Sequence, residues 1–433
     1  MTGPRVLVTG ATGFIGRQVL APLRERGFEV HALSSRGEPG ERPGGGGEVG
    51  AVDREGEVAW YHADLPESAS SVASGRGPSR EVPWYHADLP RSTSVEAAAG
   101  GPSGDVSTEA AAGGSSGDVA AEAAAGGSSG DVAAEAAAGG SSGGVSNAAS
   151  AGDPSGDVST DPPAGGPSGD VAWHQADLLE PAAARALVEA VAPTHLLHLA
   201  WYAEPGKYWR STENLRWVEA SLALLRAFAR SGTAPRRVVI AGTSAEYAWS
   251  QRTHCVEGET PLEPATLYGA SKRALHLVAE RFAAEAGLSL AWGRIFFLYG
   301  PGESPSRLAG SVARALVRGE PAETSHAKQV RDFLHTADLG DAFAALLASD
   351  VEGAVNMASG DPVRVRDLVE ALARAAGRPD LLRLGARPAS PDEPAELTAD
   401  ARRLRDEVGW SPARSLADRA AETVGWWRER EGA

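Results

Sequence analysis

Apolar positions along this chain follow two periods. Arg5–Thr9, Glu29–Leu33, Val171–Gln175, His195–Ala200, Arg237–Ala241 and Leu288–Ile295 are short runs dominated by Val, Ile, Leu and Ala, which predict buried strands. Between them, Ile15–Arg26, Pro181–Val191, Asn214–Arg230 and Tyr268–Ala286 repeat their apolar residues every three or four positions, which predicts helices. Strand and helix in regular alternation predict an α/β fold, a Rossmann-type doubly wound parallel sheet covered on both faces. From about Pro301 the pattern becomes mixed. Residues 301–433 therefore read as a smaller C-terminal lobe for substrate, interleaved with the sheet. Pro22 lies inside the first helix, where it removes a hydrogen bond and is expected to bend it.

One long interval obeys neither period. Residues 37–170 are rich in Gly, Ala, Ser and acids, and from Ser103 to Ser168 a Ser-Gly-Asp unit (once Ser-Gly-Gly) returns every 13 residues. Each unit offers one valine and short alanine runs, too little apolar surface to offset the entropy of ordering. A long disordered, low-complexity insertion is expected, dividing the sheet domain into 1–36 and 171–300. A second repetition sits at its borders: VAWYHADL at Val58–Leu65, VPWYHADL at Val82–Leu89 and VAWHQADL at Val171–Leu178. Only the last copy runs straight into a helical pattern, so it is read as the native strand. Lengthening a loop from about 10 to about 134 residues costs roughly 2 kcal/mol of closure entropy, tolerable against stabilities of about 5–15 kcal/mol.

The insertion also changes the meaning of the net charge of −16. It holds 21 acidic and five basic residues, which is the whole imbalance, and the remainder is neutral. A neutral remainder offers no basic face for nucleic acid. The single cysteine, Cys255, excludes an internal disulfide, and the histidines fall into no metal-ligand spacing. No apolar run approaches the roughly 20 residues needed to cross a bilayer, and Met1–Arg5 leads directly into a strand pattern. A soluble cytoplasmic protein without a metal site is expected.

Chemistry enters at the first strand. Thr9-Gly10-Ala11-Thr12-Gly13-Phe14-Ile15-Gly16 is a glycine-rich turn between a strand and a helix. Gly10 permits the tight turn, Gly13 lets backbone approach a pyrophosphate, and Gly16 allows close packing, while the helix start presents N–H groups to an anion. Thr12, Phe14 and Ile15 belong to the same dinucleotide cradle. After the second strand, where an acid would hold the ribose hydroxyls of NAD, the chain reads Leu33-Ser34-Ser35-Arg36. Hydroxyl and guanidinium groups suit a 2′-phosphate, so Ser35 and Arg36 favour NADP over NAD. Asp177, with Leu178 beside it, follows the third strand. It either accepts from the adenine amine or is a simple loop acid.

Tyr268-Gly269-Ala270-Ser271-Lys272 sets a phenol and an amine four residues apart, on one helical face. A nearby ammonium stabilises a phenolate, so Tyr268 can exchange a proton with a substrate hydroxyl while hydride moves to or from a nicotinamide. Ser244, after the strand Arg237–Ala241, can hold the same substrate oxygen, with Thr243 as its rival.

These motifs, with HLAWYA at 198–203, AGTSAEY at 241–247, RIFFLYGPGE at 294–303, RDFLHTAD at 331–338, NMASG at 356–360 and GWSP at 409–412, resemble those of the NAD-dependent epimerase/dehydratase family, the extended short-chain dehydrogenase/reductases. The likeness covers essentially everything outside the insertion. It implies a triad of Ser244, Tyr268 and Lys272, with Lys272 also on the ribose hydroxyls and Leu199-Ala200 beside the nicotinamide ribose. It further implies Asn214 near the active site, Arg331 on the diphosphate of a nucleotide-sugar, and helices 214–230 and 268–286 as the seam of a homodimer. Arg331 could equally pair with Asp332 or Asp338. Two departures bear on the reaction. Ala245 stands where dehydratases tend to carry an acid, leaving Glu246 as a lone base, and Pro391-Asp392-Glu393-Pro394 lacks an arginine often found there. Trp201, Trp209, Trp217, Trp249 and Trp292 line the substrate side or belong to the core.

The resemblance implies an NAD(P)-dependent oxidoreductase of epimerase/dehydratase type acting on a nucleotide-activated sugar. An NADPH-dependent 4-ketoreductase of a deoxysugar or other small carbonyl is the first alternative, distinguished by stoichiometric use of NADPH. A non-catalytic NADP-binding scaffold or sensor is the second; it would have no need of a tyrosine and lysine pair.

Overall fold

A computed structural model of the chain describes residues 3–34, 171–231, 236–389 and 393–432. Its frame is a seven-stranded sheet of β1 (Arg5–Thr9), β2 (Glu29–Ser34), β3 (Ala172–Gln175), β4 (His195–His198), β5 (Arg237–Thr243), β6 (Ser289–Ile295) and β7 (Gly353–Met357). The spatial order is β7-β6-β5-β4-β1-β2-β3 and every neighbouring pair is parallel. The order reverses between β1 and β4, and the carboxyl ends of both strands open into the crevice where such sheets bind ligands.

Continuous apolar runs follow from cover on both faces. Val6 and Val8 join the core beneath α1 (Gly16–Glu25) and α6 (Thr336–Ala348), with Val19, Leu23, Leu339 and Phe343. Leu7 points the other way, into a core it shares with α2 (Pro181–Val191), α3 (Glu213–Ala229) and α4 (Leu267–Ala286) through Leu187, Leu224 and Leu275. The period of two along a strand produces this division. No helix among the described residues is long and apolar enough to cross a membrane.

The third octapeptide copy is a strand: Ala172, Trp173, His174 and Gln175 pair in register with His31, Ala32, Leu33 and Ser34. The two earlier copies and the 13-residue repeats lie outside the described residues. In the C-terminal part, α5 (Leu308–Val317), α7 (Val365–Ala376) and α8 (Leu416–Glu431) enclose a separate core. A small sheet of Val363–Arg364, Val330–Arg331, Glu396–Ala399 and His254–Cys255 accompanies them. The intervening stretch returns to the main sheet as α6 and β7.

Two contacts anchor α6. At its C-terminal end, buried Arg237 of β5 donates from Nη2 to Leu346 O (2.8 Å) and Val351 O (2.7 Å), and from Nη1 to Ser289 Oγ at 2.6 Å. A guanidinium suits the negative end of a helix. Nearer its start, Gly340 lies directly on the carbonyl of Gln18 in α1. Helix α1 runs unbroken through Pro22, which has no N–H to give that carbonyl. The oxygen, lacking its regular i+4 donor, therefore faces a helix that can approach closely because residue 340 has no side chain. A methyl group there would overlap backbone, which cannot swing aside. Gly340→Ala should lower unfolding stability by about 1–3 kcal/mol, measured by denaturant titration at constant slope. An unchanged midpoint would mean that the two helices can separate freely.

Candidate active site

The glycine turn is built as its sequence suggests. Gly10 has φ +72°, and Gly13 N donates to Gly10 O at 3.0 Å. A Cβ on Gly10 would stand 2.8 Å from Ala200 N and 2.9 Å from the Leu199 carbonyl carbon, and one on Gly16 would collide with Gly10 O. The turn is thus bare backbone pressed against the loop that leaves β4. Such a cradle fits the pyrophosphate of a dinucleotide.

A directional chain of hydrogen bonds fixes the base of this crevice. Ala200 N donates to Thr9 Oγ1 (3.3 Å), which meets His198 Nδ1 at 2.7 Å; His198 Nε2 meets Ser221 Oγ at 2.8 Å, and Ser221 Oγ donates to Trp217 O at 2.6 Å. Because the serine proton is committed to the carbonyl, Ser221 must accept from Nε2–H, which leaves Nδ1 as the acceptor from Thr9. The ring is neutral near pH 7. Burial, helped by the charge of Lys272, depresses its pKa to about 3.

Above this relay, α4 brings in Tyr268 and Lys272. Thr266 caps the helix by accepting from Gly269 N at 3.1 Å. Gly269 packs directly on Ala245 O, so the first turn of α4 sits on the short helical turn Ser244–Glu246. The Tyr268 ring stands edge-on to Tyr208 (4.9 Å between centroids) and to Trp209 (5.7 Å), and its backbone N donates to Trp209 O. Lys272 is only 3% exposed; its Nζ donates to Ala241 O at 2.8 Å and lies 3.7 Å from the centre of the Trp201 ring. Burial lowers its pKa to about 7, and the charge of Glu246 opposes that fall.

The turn carrying Ser244 is held by its neighbours. Thr243 Oγ1 accepts from Ala245 N (3.2 Å), Glu246 Oε1 accepts from Thr243 N (3.0 Å), and Ser244 O accepts from Trp249 Nε1 (2.8 Å). The Thr243 hydroxyl is thereby committed to the scaffold, whereas Ser244 contributes only its backbone to these bonds.

Residues 6–99 and 144–358 match the model of a family described as "NAD dependent epimerase/dehydratase family". The chain belongs to that family. It is thus a member of a family of NAD-dependent enzymes. Among curated relatives, the probable UDP-glucuronate 4-epimerase of Rhizobium meliloti (strain 1021) is 25% identical over 280 residues, covering 58% of this chain and 80% of that protein. The UDP-glucose 4-epimerase of Streptomyces lividans is 29% identical over 257 residues, 53% of this chain and 74% of that one. Among solved structures, the fold is similar to that of a UDP-N-acetylglucosamine 4-epimerase from Methanobrevibacter ruminantium M1, in complex with UDP-N-acetylmuramic acid. The TM-score is 0.62 at 17% identity, over 99% of this chain and 100% of that one.

In this member of the NAD-dependent epimerase/dehydratase family, three residues singled out by the resemblance have their polar groups engaged within the protein. Asn214 is fully buried: Nδ2 donates to Tyr208 O (2.6 Å) and Ser211 O (2.8 Å), and Oδ1 accepts from Trp201 Nε1 at 2.9 Å. Arg331 is also fully buried and lies against the face of Phe297; it pairs with Glu393 at 2.8 Å rather than with Asp332 or Asp338. Asp332 instead accepts from Ser359 and Gly360. Glu246 corrects the expectation of a lone base. Its Oε1 is bonded to Trp292 Nε1 (2.8 Å) as well as Thr243 N, its Oε2 to Arg294 Nε (3.0 Å), and it has no exposure. Burial works to raise its pKa, but His276, 3.7 Å away, and the charge of Arg294 hold the carboxyl below its ordinary value. A carboxylate with both oxygens committed inside the protein cannot reach a substrate proton.

Leu178 is buried, and Asp177 is exposed with Oδ1 accepting from Leu179 N at 2.9 Å, a local turn. Ser35 and Arg36 lie outside the described residues. Of the tryptophans, Trp292 and Trp209 are buried, while Trp201, Trp217 and Trp249 are half-buried. Arg294 extends the frame around Glu246: its Nη1 donates to the Tyr247 hydroxyl (3.0 Å), which donates to Asn356 Oδ1 at 2.7 Å. This network was hidden in the sequence, where AGTSAEY reads as one motif and gives no sign that its glutamate and second tyrosine face inward. Glu246→Gln would leave the Arg294 guanidinium buried without its carboxylate, and should lower stability by about 3–5 kcal/mol, measured by urea unfolding at pH 7. Because the folded carboxyl titrates below its unfolded value, its contribution is present above the unfolded pKa and lost as pH falls through the folded one. The loss in the variant should therefore shrink under acid.

Proposed function

We propose that this chain is an oxidoreductase of epimerase/dehydratase type acting on a nucleotide-activated sugar, with Tyr268 moving the proton, Lys272 supporting the phenolate and Ser244 holding the reacting oxygen. One observation carries the reading. Gly10 abuts Ala200, the next residue Trp201 covers Lys272, and Lys272 lies one helical turn from Tyr268. The dinucleotide cradle and the proton-transfer pair thus share one wall of the crevice. A scaffold protein would have no need to bury an amine one helical turn from a phenol.

A nicotinamide cofactor, when bound, accepts or returns hydride at the sugar carbon. The glycine turn and the Leu199-Ala200 loop would hold it, with Lys272 toward its ribose. Tyr268 takes the hydroxyl proton as that carbon is oxidised and gives it back on reduction, and the Ser244 hydroxyl donates to the same oxygen. The commitment of Thr243 Oγ1 to Ala245 N favours Ser244 for that role. Committed inward as it is, Glu246 favours epimerisation or ketoreduction over the elimination step of a dehydratase. NADP is favoured over NAD because β2 ends in Leu33-Ser34 without an acid. The reading includes a cytoplasmic location, where such cofactors and sugars occur.

A homodimer belongs to the same reading. Leu215, Leu277 and Val278, at 51%, 48% and 47% exposure, are the exposed large hydrophobics among the described residues, and they lie on α3 and α4. Leu277→Glu with Val278→Glu should convert a dimer to a monomer by light scattering; a monomeric wild type would overturn this part.

The function is tested by incubating the protein with UDP- and dTDP-sugars without added reductant, and with nucleotide-4-ketosugars plus NADPH. Epimerised product in the first set, or NADPH consumption in the second, is expected. Tyr268→Phe should reduce turnover by about 10²–10⁴-fold while retaining cofactor binding. Normal turnover by that variant would remove Tyr268 from the mechanism.

A further inference from the structure

Lys272 is a buried ammonium with three donors, and among the described residues no carboxylate lies within 4 Å of its nitrogen. One donor goes to Ala241 O. What remains is the π face of Trp201, 3.7 Å away. An aromatic face attracts a cation most strongly when water is excluded.

The ring is not free to turn. Its Nε1 donates to Asn214 Oδ1, and Asn214 is fixed by the carbonyls of Tyr208 and Ser211, so the loop 201–211 and the start of α3 set the plane of the indole. Trp217 flanks it with centroids 6.3 Å apart. The other ionisable groups around the amine are differently placed. Tyr268 and His276 lie on its own helix, one turn to either side; Glu246 and Arg294 neutralise each other at the turn and on β6; His198 of β4 is neutral.

We infer that Trp201 is the positioning residue of the active-site lysine: its indole face, locked by Asn214, holds the Lys272 ammonium where a carboxylate would otherwise be needed. The role assigned to Lys272 rests on the function proposed above; the contact itself does not. A carboxylate partner would hold the amine equally well but would cancel its field at the Tyr268 phenol. A neutral π face holds the cation without cancelling the charge that acts on the phenolate.

The chain's composition makes this testable. It contains three lysines, Lys207, Lys272 and Lys328, so lysine-labelled protein gives a side-chain spectrum that can be titrated by NMR without cofactor or substrate. In Trp201→Leu the Lys272 pKa should fall by about 0.5–1.5 pH units, with Lys207 and Lys328 unmoved. Trp201→Phe, which keeps a weaker π face and is the milder change for folding, should fall in the same direction by less. A rise in either variant would mean that the ring merely excludes water, and no change would mean that it does not act on the amine; both overturn the inference. Loss of turnover at Tyr268 tests the functional reading separately. Should the protein process no nucleotide-sugar while the lysine still shifts, only that reading fails.

Discussion

A charged amine sealed in the protein without a counter-charge beside it is the constraint around which this crevice is arranged. Isolated ammonium groups are expensive to bury and respond by shedding their proton. Here a carbonyl at the end of β5 and an indole at the end of β4 meet the amine from two sides, and Glu246 opposes deprotonation from a greater distance. The neutral His198 relay matters for the same reason, since a second cation under Lys272 would expel the first. These groups come from the ends of adjacent parallel strands, so the order of the sheet alone brings them together.

The charges farther from the crevice follow the opposite rule. Glu246 with Arg294, and Arg331 with Glu393, are buried ion pairs, each guanidinium directly on its carboxylate. Such pairs contribute little net stability but are costly to break, which suits a frame. The first supports the turn that presents Ser244, and the second ties the small sheet at Val330–Arg331 to the segment before Glu396–Ala399. The site combines one amine whose charge is left to act with a surround in which charge is cancelled.

Six of the seven strands were legible because they are apolar on both faces, and their boundaries in the structure differ from the periodicity by at most two residues; Gly353–Met357 lies in the mixed C-terminal pattern and was not read as a strand. Placement of VAWHQADL as β3 followed from what comes after it, since only that copy continues into a helix. The glycine turn was legible for a steric reason, as Gly10 and Gly16 leave room for backbone alone. What escaped was the direction of polar side chains. Asn214, Glu246 and Arg331 each occupy family-like positions, yet whether such a residue faces the crevice or the interior is decided by distant partners: Arg294 is 48 residues from Glu246, and Glu393 is 62 from Arg331. The C-terminal sheet was illegible because strands of two residues, such as Val330–Arg331 and Val363–Arg364, are too short to display alternation.

The meeting of α1 and α6 has a consequence for how this protein can vary. Pro22 withholds a donor from Gln18, and Gly340 lies directly on the carbonyl left without it. A residue with an N–H at position 22 would close the ladder of α1 and draw that oxygen inward, relaxing the demand on position 340. The effect of a change at one site thus depends on the occupant of the other. Screening either position singly would underrate the sequences this helix pair can accept.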